Sequence, residues 1–229
     1  MIPFAVLERD IEEACKFKAA SAVPAAMCPV KIAYVGAGGP VMQRAFRFLC
    51  KALASLRGSN NALPDRVRIE LFGTMLGWRD SDPRYLANIA REEGVADMVS
   101  EDPRRVSYRR SVELLLEADG TLVLGVDDPG YMPSKLFAYA LSGKPMLAVL
   151  RRDSAAFEQF QATPGLGHTI WFDQTGEQAS DEVAEAVGEF LRESAARTQF
   201  DRRAMLDEFL APAMACRHAA LFEACLHNA

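Results

Sequence analysis

The sequence predicts an α/β fold: a doubly wound parallel sheet of about six strands, followed by a helical C-terminal extension. Three observations predict it. Short β-branched or apolar runs alternate with longer stretches whose apolar residues recur three and four positions apart. The chain has 229 residues, 50% hydrophobic and 25% charged, which suits a soluble globular protein with a substantial core. From Asp181 onward the pattern is helical throughout.

Residues 1–29 read as a helix and a linker that is rich in small residues and broken by Pro24 and Pro29. Lys31–Val35 (KIAYV) is the first strand, and Pro40–Leu56 places Val41, Ala45, Phe48, Leu49, Ala52 and Leu56 on one helical face. Val67–Gly73 is the second strand, with a helix from about Asp82 to Gly94. A short strand at Met98–Val99 leads to a helix over Arg109–Ala118. Thr121–Val126 is a buried strand, Ser134–Ser142 a helix stopped by Gly143, and Pro145–Leu150 a strand. His168–Phe172 adds the last strand. Strands alternating with helices in this way make βαβ units, so residues 30–178 form a Rossmann-like domain and 179–229 an extension of two or three amphipathic helices, separated near Ala211–Pro212.

Composition excludes several roles. With 26 basic against 31 acidic side chains the net charge is −5, and the general phosphate attraction of nucleic-acid binders is missing. No apolar run approaches the roughly 18 residues of a membrane span, so no transmembrane segment is expected. The N-terminus meets acidic residues too early for a signal peptide. Five cysteines (Cys15, Cys28, Cys50, Cys216, Cys225) form no C-x-x-C pair, so reduced, mostly buried thiols in a cytoplasmic protein are expected.

Two motifs could carry chemistry. After the first strand comes Gly36-Ala37-Gly38-Gly39-Pro40, whose glycines can turn tightly and offer N–H groups to a phosphate at a helix start. The same glycines could simply make a tight strand-to-helix turn, and both readings stay open. It is not a dinucleotide fingerprint, because Val41 stands where Gly or Ala belongs and the second strand ends without an acid. An NAD-dependent oxidoreductase is therefore disfavoured. The second motif runs from Gly125 to Pro145: a buried strand empties into a loop with Asp127 and Asp128, Ser134 could cap the next helix, and Lys135 adds a positive charge.

The run PSKLFAYALSGKPMLA resembles the PSKLFEYLASGKPVLA-type segment in the C-terminal domain of family 4 glycosyltransferases, which have the two-Rossmann-domain GT-B architecture. KIAYVGAGG, VRIELFG and RVSYRRSVELLLEAD are similar to that domain's other motifs, in the same order over roughly residues 31–175. The resemblance implies a nucleotide-sugar donor site and no separate cofactor. By position it implies that Gly38 and Gly39 approach the diphosphate or donor sugar, in the loop that Gly36 opens. Val106 and Ser107 would recognise the base, and Ser134, Lys135 and Leu136 would face ribose and diphosphate. Arg44 is the nearest match to the family's diphosphate-clamping basic residues. The family's paired glutamates fall at Gly130 and Ala138, with Asp127 or Asp128 as shifted substitutes for the first.

Arg104, Arg105, Arg109 and Arg110 form the densest basic cluster. One or two of them, Arg109 among them, could neutralise a diphosphate, or the cluster could be a solvated helix start. Cys216-x-His218 and Cys225-x-His227 point their side chains to opposite helix faces, so no metal site is expected. Trp78 and His168 could each line a site, but packing is the favoured reading for both. No catalytic residue can be assigned.

The resemblance also implies a missing N-terminal, acceptor-binding domain, since 229 residues hold one of two. The chain would then be a piece of a longer enzyme, or a degenerate single domain, with little activity alone. Its expected place is the cytoplasm, or peripherally the membrane for a full-length enzyme. The rival reading is a non-catalytic module for scaffolding or partner binding. The helices of 181–229 could pack on the sheet, cover a missing domain's interface, or form a homodimer.

Overall fold

The computed structural model describes residues 8–16, 29–58, 63–75 and 84–227. Its centre is a sheet of seven strands: β1 Val30–Val35, β2 Val67–Phe72, β3 Val99–Asp102, β4 Gly120–Leu124, β5 Met146–Arg151, β6 His168–Asp173 and β7 Gly176–Glu177. Their order is β3-β2-β1-β4-β5-β6-β7. The first six run parallel, and the two-residue β7 returns antiparallel on β6. The doubly wound, Rossmann-like fold is thus present, with one strand more than expected.

The strands alternate their side chains between two cores. Ile32, Tyr34, Leu122, Leu124, Leu147 and Val149 face α2 (Gln43–Gly58), α3 (Tyr85–Glu92) and α7 (Ser180–Ala195). Val35, Val123, Met146, Ala148 and Leu150 face α4 (Tyr108–Glu117), α5 (Leu136–Leu141) and α6 (Ala155–Ala162). Every residue of β4 and β5 is buried, and apart from Thr121 and the ion-paired Arg151 their sequences are accordingly apolar without alternation.

Several boundaries differ from the sequence reading, each for a local reason. The second strand stops at Phe72, and β3 extends from Val99 to Asp102 after a 3-10 turn at Ala96–Met98. α6 is absent from the sequence reading because its small residues make a weak apolar face, although Ser154 caps it by accepting from the Phe157 N–H at 3.2 Å. Ser134 does not cap α5, which starts at Leu136 with no side-chain cap, because Pro133–Lys135 form a turn.

The C-terminal extension also differs. The first break comes after α7, where Arg197 takes a positive φ of 54°, and α8 (Arg203–Leu206) follows. The expected separation near Ala211–Pro212 is present: Leu210 is extended between a 3-10 turn at Asp207–Phe209 and α9 (Ala211–His227), whose first turn holds Pro212. Of α9 only Met214 is buried, so this helix is not a packed amphipathic element. Cys216 and Cys225 on it are exposed, against the expectation of buried thiols, whereas Cys50 is buried. Trp78 and Cys28 lie outside the described residues.

At the other end, α1 (Glu8–Lys16) lies on α4 through Ile11, Val112 and Leu116. It is tied to α8 by ion pairs from Arg203 to Glu8 and Glu12 at 3.1 and 3.5 Å. Among the described residues no helix is long and apolar enough to cross a membrane.

Candidate functional site

The sheet order changes direction between β1 and β4, and a crevice outside the strand carboxyl ends is expected there. The structure has one. A cleft of about 470 Å³ is lined from the loops after β1, β2 and β3, the end of β4 and the start of α5.

Its floor is built around a gap in the ladder. The β1–β4 register pairs Ile32 with Gly120 and Ala33 with Thr121 and goes no further. At Val35 the Tyr139 hydroxyl stands in the ladder's place. It accepts from the Val35 N–H at 2.7 Å and donates to the Val35 carbonyl at 2.8 Å. Lys135, one helical turn earlier, donates its Nζ to the same carbonyl at 3.0 Å. Burial holds the Tyr139 hydroxyl far above its ordinary pKa, so it stays a neutral phenol.

The cleft mouth is braced by main chain. The Gly36 N–H donates to the Phe72 carbonyl and the Gly38 N–H to Thr74, both at 2.9 Å. In turn Gly73 donates to Asp102 at 2.9 Å and Met75 to Pro103 at 3.1 Å. Thr74 also donates to Glu101 at 2.5 Å, and the other Glu101 oxygen accepts from the Ala87 N–H at 2.8 Å, at the start of α3. Two amides that the phosphate-cradle reading needed are therefore already engaged. Gly38 is required for packing: a Cβ there would sit 2.8 Å from the Thr74 Cβ. Gly39, at φ 87° and ψ −161°, precedes a 3-10 turn at Pro40–Met42 that leads into α2.

Of the residues singled out by sequence, Gly36, Val106, Ser134, Lys135 and Leu136 line this cleft together. Gly38, Gly39, Ser107 and Arg109 do not. Ser107 instead caps α4, accepting from the Arg110 N–H at 3.2 Å. Arg109 is exposed and paired with Glu113 at 3.0 Å. Arg44, Asp127 and Asp128 line a separate depression beside α2. There the Asp127 carboxylate is shared by Arg44 at 3.2 Å and the buried Arg151 at 2.8 Å, while Asp128 accepts from the Gly130 N–H at 2.8 Å. Both acids are engaged in holding the loop. Ala138, on α5, is half-buried and packs against the core.

The basic cluster resolves into different fates. Arg104 pairs with Asp102 at 2.7 Å, and Arg110 with Glu113 and Glu117 at 3.2 and 2.7 Å. Arg105 alone of the four lines the cleft. Burial, and then the nearby Arg105 charge, lower the pKa of Lys135. Two cations thus share one concavity whose described lining residues include no Asp or Glu. Such a pair favours a dianionic group between them, and the guanidinium can bind it bidentately.

Sequence reasoning missed Tyr139 and Tyr131 as lining residues. The first was findable, because Tyr139 lies four residues after Lys135 and so on the same helix face. His168 bonds Glu193 at 2.9 Å, away from the cleft. Among the described residues no group of three potential metal ligands forms, the C-terminal Cys and His included.

The sheet order and the cleft at its reversal define a doubly wound, Rossmann-like α/β domain. No family model and no curated protein matches the sequence. Solved structures do share the fold. A glycosyltransferase from Rickettsia africae ESF-5 superposes with a TM-score of 0.62 at 10% identity, over 100% of this chain and 57% of that one. A UDP-forming α,α-trehalose-phosphate synthase from Burkholderia xenovorans gives 0.64 at 14% identity, over 97% and 51%. WaaG, a glycosyltransferase of lipopolysaccharide biosynthesis, gives 0.54 at 15% identity, over 93% and 51%. The chain spans about half the length of these structures, and at such identities the likeness establishes the fold.

Proposed function

We propose that this chain is the nucleotide-sugar donor-binding half of a GT-B glycosyltransferase, related to family 4. The enzyme would move a sugar from a nucleotide diphosphate to an acceptor held by a second domain. One observation carries the reading: Arg105 and Lys135 converge on the switch-point cleft with no carboxylate among its described lining residues. Glycosyl transfer leaves a nucleoside diphosphate whose new charge must be stabilised, and two preorganised cations in a concave site supply that. The order of the sequence motifs and the glycosyltransferases among the structural neighbours point the same way.

The departures refine the proposal. Gly36 and Gly38 shape the mouth rather than donate to phosphate, so the side chains of Arg105 and Lys135 take the anion. Base recognition falls to the Val106 segment. No separate cofactor or metal is assigned. A catalytic base would come from the other half, and the chain alone would turn over little substrate. A location in the cytoplasm, peripheral to the membrane for the complete enzyme, belongs to the same proposal.

Calorimetric titration with UDP-, GDP- and ADP-sugars tests it. One of them should bind, and Lys135→Ala or Arg105→Ala should each weaken that binding about tenfold, the cost of one charge-assisted contact. No binding at millimolar ligand would leave the non-catalytic module as the better reading. Turnover of a nucleotide-sugar by the purified chain alone would overturn the half-enzyme reading.

A further inference from the structure

Arg202 is a buried cation with an unusual set of partners. Only 3% of the residue is exposed, and its guanidinium donates to three carbonyl oxygens. The Nε donates to Gly165 at 3.0 Å, and Nη1 donates to Lys144 at 2.8 Å and to Ala140 at 3.4 Å. The guanidinium lies over the Phe200 ring at 4.6 Å. Burial lowers its pKa to about 10, so the site charges the protein for keeping this group ionised. A buried charge of this kind calls for a role beyond packing, since an apolar side chain of similar volume would fill the space at less cost.

The role follows from what it grips. Ala140 belongs to α5, a helix of six residues, and so short a helix cannot hold its own geometry. External ties fix it at both ends. Lys135 at its N-cap and Tyr139 in its second half are pinned on the Val35 peptide groups. At its end Arg202 holds Ala140 and Lys144, and the Phe200 N–H donates to the Gly143 carbonyl at 2.8 Å. On its outer side Phe137 stacks on Phe209 with centroids 4.0 Å apart. The segment after α7 therefore clamps the back of the helix whose front lines the cleft.

We infer that Arg202 is a positioning residue for the cleft, setting the placement of α5 and thereby the Lys135 ammonium and the Tyr139 hydroxyl on Val35. The inference rests on the reading of the cleft as an anion site. Its local part, the tie between Arg202 and Val35, stands without that reading.

Arg202→Met keeps the volume and removes the donors. Two readouts are taken: hydrogen exchange at the Val35 amide relative to Ile32 on the same strand, and titration with inorganic pyrophosphate as a base-independent diphosphate probe. In the folded variant the Val35 amide should exchange about tenfold faster while Ile32 is unchanged, because a general loss of stability would move both together. Pyrophosphate affinity should fall about fivefold, and Arg202→Lys should recover part of both effects. Unchanged Val35 protection in folded Arg202→Met overturns the inference. If wild-type protein does not bind pyrophosphate, the anion-site reading fails, while the amide comparison still decides for or against Arg202. If Arg202→Met does not fold, the amide comparison is made on Arg202→Lys, where faster Val35 exchange supports the inference and unchanged exchange overturns it.

Discussion

Tyr139→Phe isolates the polar device under the cleft, because it deletes one oxygen and leaves the buried ring. The two Val35 groups respond differently. The carbonyl keeps Lys135 at 3.0 Å, but the N–H, whose acceptor was the phenol at 2.7 Å, loses its partner inside the core. An orphaned buried donor together with a lost hydrogen bond costs about 2–3 kcal/mol. For a chain of this size that is a fall of about 4–12 °C in Tm. Tyr34→Phe is the control: its hydroxyl bonds the carbonyl of Ala37, an exposed loop residue, and the weakly accepting Met42 sulfur at 2.9 Å, so no buried donor is orphaned and about 1 kcal/mol is expected. Urea denaturation at neutral pH measures both.

A second arm uses pH. Burial raises the Tyr139 pKa far above its ordinary value of about 10, so the native state holds the phenolic proton where the unfolded chain releases it. The native state then binds more protons, and stability falls as pH rises above about 10, the contribution being complete below that. Tyr139→Phe removes this loss, so the gap between wild type and variant should narrow above pH of about 10. A variant within about 0.5 kcal/mol of wild type at neutral pH, or a gap constant through the alkaline range, would refute the reasoning.

Gly120→Ala should destabilise by about 1–3 kcal/mol through overpacking, since its Cβ would meet the Ser194 hydroxyl and sit 2.9 Å from Ile32 Cδ1. Adding Ser194→Ala should recover part of that loss, and a double variant no more stable than Gly120→Ala would show that the hydroxyl is not the obstacle. In a Cys15→Ser/Cys28→Ser background, a thiol reagent should label Cys216 and Cys225 rapidly. Cys50, whose burial pushes its pKa up to about 12, should react only on unfolding; fast labelling of three thiols would contradict its placement.

The strands were legible because burial on both faces leaves runs such as TLVLG and MLAVL with no other stable reading. The helix α2 was legible from its spacing. What escaped were elements held by context: α6 with its weak stripe, β7 with two residues, and the turn at Pro133–Lys135 that displaces the start of α5. The site divides along the same line. Gly36, Val106, Ser134, Lys135 and Leu136 come together as their motif positions imply. The engagement of the Gly36 and Gly38 amides was invisible, because their acceptors, Phe72 and Thr74, lie more than thirty residues away. Arg105 could be told from its three neighbours only once the helix start at Tyr108 and the end of β3 at Asp102 were fixed, because these set which nearby carboxylates claim Arg104, Arg109 and Arg110.

The bracing of three consecutive loops by peptide groups has a consequence for how such a mouth can change over time. Because Gly36, Gly38, Gly73 and Met75 donate through their backbones, the frame does not depend on the side chains at Ala37 or Met75. Those positions can be exchanged one at a time while the opening keeps its outline. Ligand preference at this rim can therefore drift by single substitutions with little cost in fold, and the same positions are where a library aimed at new specificity would start.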